Sequence, residues 1–191
     1  MRRYLINAAF IAGLTCLGVV MIVFAAYGTH QDQPAKLMET DLNRVVIQFD
    51  RSGCYGNCPS YMVTVYGDGR LEYEGKDNVK QKGTAQAHIA TADVRALLSN
   101  FEKASFLTLS SFARESCTCT VYTDMPTVVT RLEANGISHR VEHYYGCRCA
   151  PEALWDLEAA IDKIARTEQW TGDVSKQGPL GTTCFNPKES F

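Results

Sequence analysis

Two tight turns constrain this chain more than any other feature. Gly67-Asp68-Gly69 and Asn135-Gly136 each separate two runs of alternating apolar and polar residues. Strands joined by so few residues must run antiparallel, because a parallel return needs a crossover of about a dozen residues or more. Asn-Gly is the strongest two-residue hairpin signal, and it pairs Leu132 with His139, Thr130 with Val141 and Val128 with His143. Val128, Leu132 and Val141 then share a core face. At the first turn, a two-residue loop would put Val63 and Val65 on the same face as Glu72 and Glu74. A three-residue loop with left-handed Gly69 pairs Val65 with Leu71 and Val63 with Tyr73, which keeps the apolar face coherent and is the predicted register.

Other elements follow from periodicity. Val45 to Phe49 reads as a strand, and Val79 to Ile89 as another, weakened by Gly83. Thr91 is expected to cap a helix with Val94, Leu97, Leu98 and Phe101 at helical spacing and Asp93 in its first turn. Pro151 opens a last helix whose stripe is Leu154, Leu157, Ile161 and Ile164, with Trp155 and Trp170 expected at its edges. The predicted fold is α+β, an antiparallel sheet built from hairpins with two helices packed on one face.

The N-terminus supplies an address. Tyr4 to Tyr27 is a 24-residue apolar stretch broken by Asn7 and Thr15. As a helix it spans about 36 Å, enough to cross the hydrocarbon core of a membrane. A cleaved signal peptide has a shorter apolar core, of about 7–15 residues. Ala26-Tyr27-Gly28 still leaves cleavage and secretion as the alternative to an uncleaved single span. Cys16 lies too far inside the run for a lipoprotein cysteine. Arg2 and Arg3 precede the run, so the positive-inside rule puts the N-terminus in the cytoplasm and the domain in the periplasm, tethered to the inner membrane by this helix. The exported part carries 17 Lys and Arg (19 less the two at the N-terminus) against 21 Asp and Glu. That acidic balance argues against nucleic acid as a partner and leaves an envelope protein or ligand. The expected organisation is an anchor or signal over 1–28, a linker over 29–43, a domain over 44–171 and a flexible tail over 172–191.

Seven of the eight cysteines lie beyond the apolar run. Cys54 and Cys58 are separated by three residues, and Gly56 lets the chain between them turn. A structural disulfide is the favoured reading over a redox pair, because a strand rather than a helix follows Pro59, although Arg51 could supply a charge. Cys117-x-Cys119 precedes the second hairpin and Cys147-x-Cys149 follows it. Adjacent-but-one cysteines on an extended chain stand about 7 Å apart, too far to bond each other. Continuing the hairpin register brings the two pairs together at its open end. Four clustered cysteines can make two disulfides, hold a zinc ion or remain thiols. An oxidising compartment and the narrow Cys-x-Cys spacing favour disulfides over zinc, and a cytoplasmic domain would reverse that order. Cys184 is left over.

Arg51-Ser-Gly-Cys54-Tyr-Gly56-Asn-Cys58-Pro59-Ser-Tyr61, followed by Gly67-Asp68-Gly69, Tyr73 and Gly75, resembles the C-x-G-x-C-P-x-Y signature of a bacterial domain-of-unknown-function family. The similarity continues through Asp124-Met125-Pro126-Thr127, His143-Tyr144 and the last helix. The resemblance implies an exported or membrane-anchored α+β domain and assigns no activity or catalytic residues. The two Cys-x-Cys pairs fall outside that signature.

Little else points to chemistry. His139 and His143 share a strand face, which suits a metal but more commonly marks sheet histidines with ordinary partners. Asp124 reads as a turn residue bonding its own backbone, and Glu72 and Glu74 as a solvated face. There is no G-x-S-x-G elbow, Walker loop, G-x-G-x-x-G after a strand or H-E-x-x-H. With no catalytic constellation, a non-enzymatic role is favoured: a membrane-tethered envelope domain, disulfide-stabilised, acting as a binding or structural module without a cofactor. The alternatives are a thiol–disulfide protein using Cys54 and Cys58 or a Cys-x-Cys pair, and a zinc module using Cys117, Cys119, Cys147 and Cys149.

Overall fold

The computed structural model describes residues 36–172. The apolar run, Cys16, the tail from residue 173 and Cys184 lie outside the described residues, and so do the expected anchor and flexible tail. Among the described residues no helix is long and apolar enough to cross a membrane.

Six strands form one sheet: β1 (Val46–Arg51), β2 (Ser60–Tyr66), β3 (Arg70–Asp77), β4 (Gly83–His88), β5 (Thr127–Ala134) and β6 (Ile137–Tyr144). Their order is β4-β3-β2-β1-β5-β6, with every neighbouring pair antiparallel. The first strand is therefore central, where Ile47 and Phe49 are fully buried. Both hairpin registers are the predicted ones. Gly69 closes the first turn at φ +94°, and its N–H donates to the Tyr66 carbonyl at 2.9 Å. Asn135 and Gly136 both take positive φ, as a two-residue turn with the twist of its strands requires. β4 is shorter than the predicted 79–89 strand. Gly83 at φ +79° ends the extended backbone, and residues 80 and 81 bond instead to the carbonyls of Thr171 and Trp170.

Among the described residues three α-helices accompany the sheet: α1 (Thr91–Lys103), α2 (Glu152–Ala165) and the short α3 (Glu168–Thr171). Thr91 is not the cap of α1. It lies inside the first turn, Ala90 holds the cap position without a side-chain acceptor, and the Asp93 carboxylate accepts from the Ala90 N–H at 3.2 Å. In α2, Leu154, Leu157 and Ile161 are buried as expected, but Glu158 and Ala165 complete the face and Ile164 is only partly buried. Trp170 belongs to α3 and stacks on Tyr73 at 4.7 Å rather than edging α2. Residues 36–43, read above as the end of a linker, pack down: Leu37 is buried, and Arg95 donates to the carbonyls of Met38 and Thr40, each at 2.8 Å.

The helices bury their apolar faces against one face of the sheet in a continuous core that includes Ile47, Val63, Leu71, Leu98, Leu132 and Leu157. Each fully buried aliphatic side chain of this kind contributes about 1.5–3 kcal/mol.

Candidate functional site

Alternation along β1 puts Ile47, Phe49 and Arg51 on one face, so Arg51 points into the core like the two apolar residues before it. Register then builds a row across the sheet. Arg51 pairs with Tyr61 on one side and Val128 on the other, and Val128 pairs with His143. The row therefore reads Tyr61, Arg51, Val128, His143, three of the four polar, at the end of the sheet where β1 leaves and β2 begins. Above it runs α2, whose buried face carries two carboxylates one turn apart, Glu158 and Asp162.

Asp162 is the hub. Its Oδ2 accepts from Arg51 Nη2 at 3.0 Å, and its Oδ1 accepts from the hydroxyls of Tyr61 and, at 2.8 Å, Thr167. Arg51 is 1% exposed, and its guanidinium lies 4.9 Å from the Tyr145 ring centre and 5.1 Å from that of Phe49. Burial opposes charge on this guanidinium, but the phenol oxygens of Tyr145 and Tyr61 and the carboxylates of Asp162 and Glu158 around it outweigh that and raise Arg51 well above its ordinary value. Burial pushes the phenols of Tyr61 and Tyr145 well above the ordinary tyrosine value.

A cavity of about 260 Å³ opens over this hub. Arg51, Tyr61 and Asp162 line its polar part, Tyr145 and Trp155 its aromatic wall, and Lys163, Arg166 and Glu168 its mouth. The three mouth residues are exposed, and none forms a side-chain ion pair among the described residues. Behind the aromatic wall His143 Nδ1 sits 3.1 and 3.0 Å from the two Glu158 oxygens, with both residues buried. Trp155 and Tyr145 close over the imidazole with ring centres at 4.2 and 4.9 Å. His139 is separate: it bonds the Leu109 carbonyl at 2.9 Å and packs edge-on to Phe106.

The cysteines gather beyond the same end of the sheet. Cys54 and Cys58 are bridged across the β1–β2 loop, Cα atoms 5.5 Å apart, with Gly56 inside the loop and Pro59 buried behind it. Arg51 pairs with Asp162 at 3.0 Å. Cys117 is bridged to Cys147 and Cys119 to Cys149, with Cα separations of 5.7 and 5.9 Å. Simple continuation of the hairpin register puts Cys119 and Cys117 opposite positions 152 and 154. Instead the ladder resumes three places earlier, with Val121 facing Cys147, and a 3-10 turn over Arg114–Ser116 ends at Cys117. Because neither Cys-x-Cys stretch is a regular strand, Cys117 and Cys119 have sulfurs 3.6 Å apart, and Cys147 and Cys149 3.7 Å apart, not the separation of an extended chain. The four sulfurs all lie within 4.8 Å of one another, a group that could hold a metal ion.

Gly69, Asp124 and Pro126, the other residues picked out by the resemblance, hold backbone positions. Gly69 forms the hairpin turn. Asp124 stands at φ +67°, and its carbonyl accepts from the Tyr55 N–H at 3.1 Å. Its carboxylate accepts from the Thr123 hydroxyl at 3.0 Å rather than from its own backbone. Buried Pro126 offers its carbonyl to the Tyr145 N–H at 2.9 Å. Sequence reasoning missed Asp162, Glu158, Tyr145 and Thr167. The available signal was Glu158 within the apolar stripe of α2 and Asp162 one turn on.

The chain matches the family described as a domain of unknown function (DUF6438) over residues 45–165. No curated protein matches it.

Proposed function

This chain belongs to the DUF6438 family, whose function is not established, and from the geometry of the chain we propose that it is a disulfide-stapled binding module that takes a small anionic ligand into the cavity over Arg51. The observation that carries this is the cavity mouth. Lys163 and Arg166 flank it with no ion-pair partner among the described residues, above a guanidinium held charged at the floor. Of the lining carboxylates, Asp162 is already occupied by Arg51, Tyr61 and Thr167, and Glu168 stands against the two positive groups Lys163 and Arg166 at the mouth, so the lining as a whole favours an anion. Tyr145 and Trp155 suit a ligand with a flat apolar body, and the volume suits one about the size of an aromatic carboxylate. In the same proposal the apolar run over 4–27 tethers the domain to the inner membrane of a bacterial envelope, with the domain in the periplasm. The span length, Arg2 and Arg3 and the disulfides support that address.

The test is the melting temperature of the full chain in detergent with benzoate, phenylacetate, benzamide or inorganic phosphate. A ligand at about one hundred times its Kd adds about 2.7 kcal/mol, or roughly 5–10 °C for a domain of this size. The carboxylates are expected to raise the melting temperature, benzamide is not, and Lys163→Glu with Arg166→Glu abolishes the rise. If no anion stabilises the chain, or the rise survives in the double variant, the cavity is part of the scaffold and the binding proposal fails. An alkaline phosphatase fusion after residue 43 tests the address: an inactive fusion excludes export.

A further inference from the structure

We infer that Cys117, Cys119, Cys147 and Cys149 form a tetrahedral tetrathiolate zinc site when their two bridges are reduced. This inference does not depend on the ligand proposed for the cavity over Arg51. It rests on the arrangement of the four sulfurs. Four thiolates at about 2.3 Å from a zinc ion, at tetrahedral angles, stand about 3.8 Å from one another. Three of the non-bonded sulfur pairs already have that spacing: Cys117 to Cys119 at 3.6 Å, Cys147 to Cys149 at 3.7 Å and Cys117 to Cys149 at 3.9 Å. No pair exceeds 4.8 Å. The objection that Cys-x-Cys is too narrow for zinc applies to extended chain, and both stretches here are folded back so that each behaves as a chelating pair. Soft sulfur donors in a tetrahedral set select zinc over calcium or magnesium.

Zinc with four thiolates carries a net charge of −2; in sequence Arg114, Glu115 and Arg148 stand beside the cysteines, the two guanidiniums packing on the rings of Tyr144 and Trp155. Cys147 is fully buried while Cys149 is exposed, so the cluster has a shielded side and an open side through which a reductant and a metal reach it. The chemistry balances as follows. Each bridge takes two electrons and two protons from one dithiol, which becomes a disulfide. Two dithiols therefore give four thiols, and zinc then displaces four protons. Two equivalents of a disulfide oxidant reverse both steps: each re-forms one bridge and leaves as two thiols, four protons are taken up in all, and the metal is released. The cluster is thus a site with two exclusive states, bridged without metal and reduced with metal.

The experiment uses the full chain in detergent, oxidised or reduced with dithiothreitol under argon, with zinc counted by mass spectrometry and cobalt(II) followed by thiolate charge-transfer absorption. The expected result is no metal on the oxidised chain and one zinc per chain on the reduced one. Reoxidation should release it. Cys54→Ser with Cys58→Ser should keep the metal, and Cys119→Ser with Cys149→Ser should weaken binding at least tenfold. A reduced chain that fails to take up one zinc, folded or not, overturns the inference. So does undiminished binding by the Cys119→Ser, Cys149→Ser variant or equal binding by the oxidised chain.

Discussion

Arg51 is a charge in a place where strands usually keep valine or isoleucine. A buried ion pair is a poor route to stability, because desolvation of both groups consumes most of the attraction between them. Here four further contacts share the load: Tyr61 and Thr167 on Asp162, and the faces of Phe49 and Tyr145 on the guanidinium. Removing one partner should therefore be costly and removing both should not. Asp162→Ala is expected to lower the unfolding free energy by about 3–5 kcal/mol, and Arg51→Met with Asp162→Leu to recover most of that loss. Urea denaturation of the three proteins checks it. A double variant as unstable as Asp162→Ala would mean that the pair itself, not the orphaned charge, holds this end of the core.

At the scale of elements, the first hairpin shows how little space the turn leaves. Gly69 and Gly136 both stand at positive φ, where an L side chain costs about 1–2 kcal/mol. Their surroundings differ. A Cβ on Gly69 would sit 2.2 Å from the Ile89 carbonyl oxygen, whereas one on Gly136 meets only the end of Arg44 at 3.6 Å. Gly136→Ala should cost no more than the backbone strain. Gly69→Ala must also push away the strand end at Ile89, whose N–H donates to the Gly69 carbonyl at 2.9 Å. Thermal melts of the two variants should rank Gly69→Ala clearly lower, and equal melting temperatures would show that the Ile89 contact yields freely.

The molecule as a whole buries Tyr61, Tyr73 and Tyr145 as neutral phenols, and burial raises all three above the ordinary tyrosine value, Tyr73 to about 12. Unfolding exposes them and returns each to a pKa of about 10. Below that pH the folded and unfolded chains hold these protons alike, so the contribution to stability is fully present. Above it the unfolded chain ionises first, and stability falls as pH rises, by up to about 1.4 kcal/mol per unit for each tyrosine. The urea midpoint should be level from pH 8 to 9.5 as far as these groups are concerned and drop towards pH 11. Tyr73→Phe should make the drop shallower, and an unchanged slope in that variant would remove Tyr73 from the account.

Much of this architecture was already legible in local sequence. The two turns dictate their own registers because a tight loop leaves only one alignment that keeps apolar residues together. The strand read from sequence ends at Phe49 and offers Arg51 to the cysteines. Alternation carried two residues further points Arg51 inward, and Glu158 falls within the apolar stripe of α2, so both signals are present in the sequence but only the packed chain gives them meaning. What alternation does not carry is a partner. β1 meets β5 across 75 residues of chain, from Arg51 to Thr127, and that pairing alone sets His143 in the same row as Arg51. The laying of α2 across that row then joins Asp162 to Arg51 and Glu158 to His143. The cysteines divide in the same way. Local spacing was enough to link Cys54 with Cys58 and to gather the other four at one hairpin end. Which of the four faces which, and how close their sulfurs come, was decided by a break in the ladder near Val121 and the turn before Cys117. Those are features of the packed chain, because only packing chooses between loop paths of similar local energy.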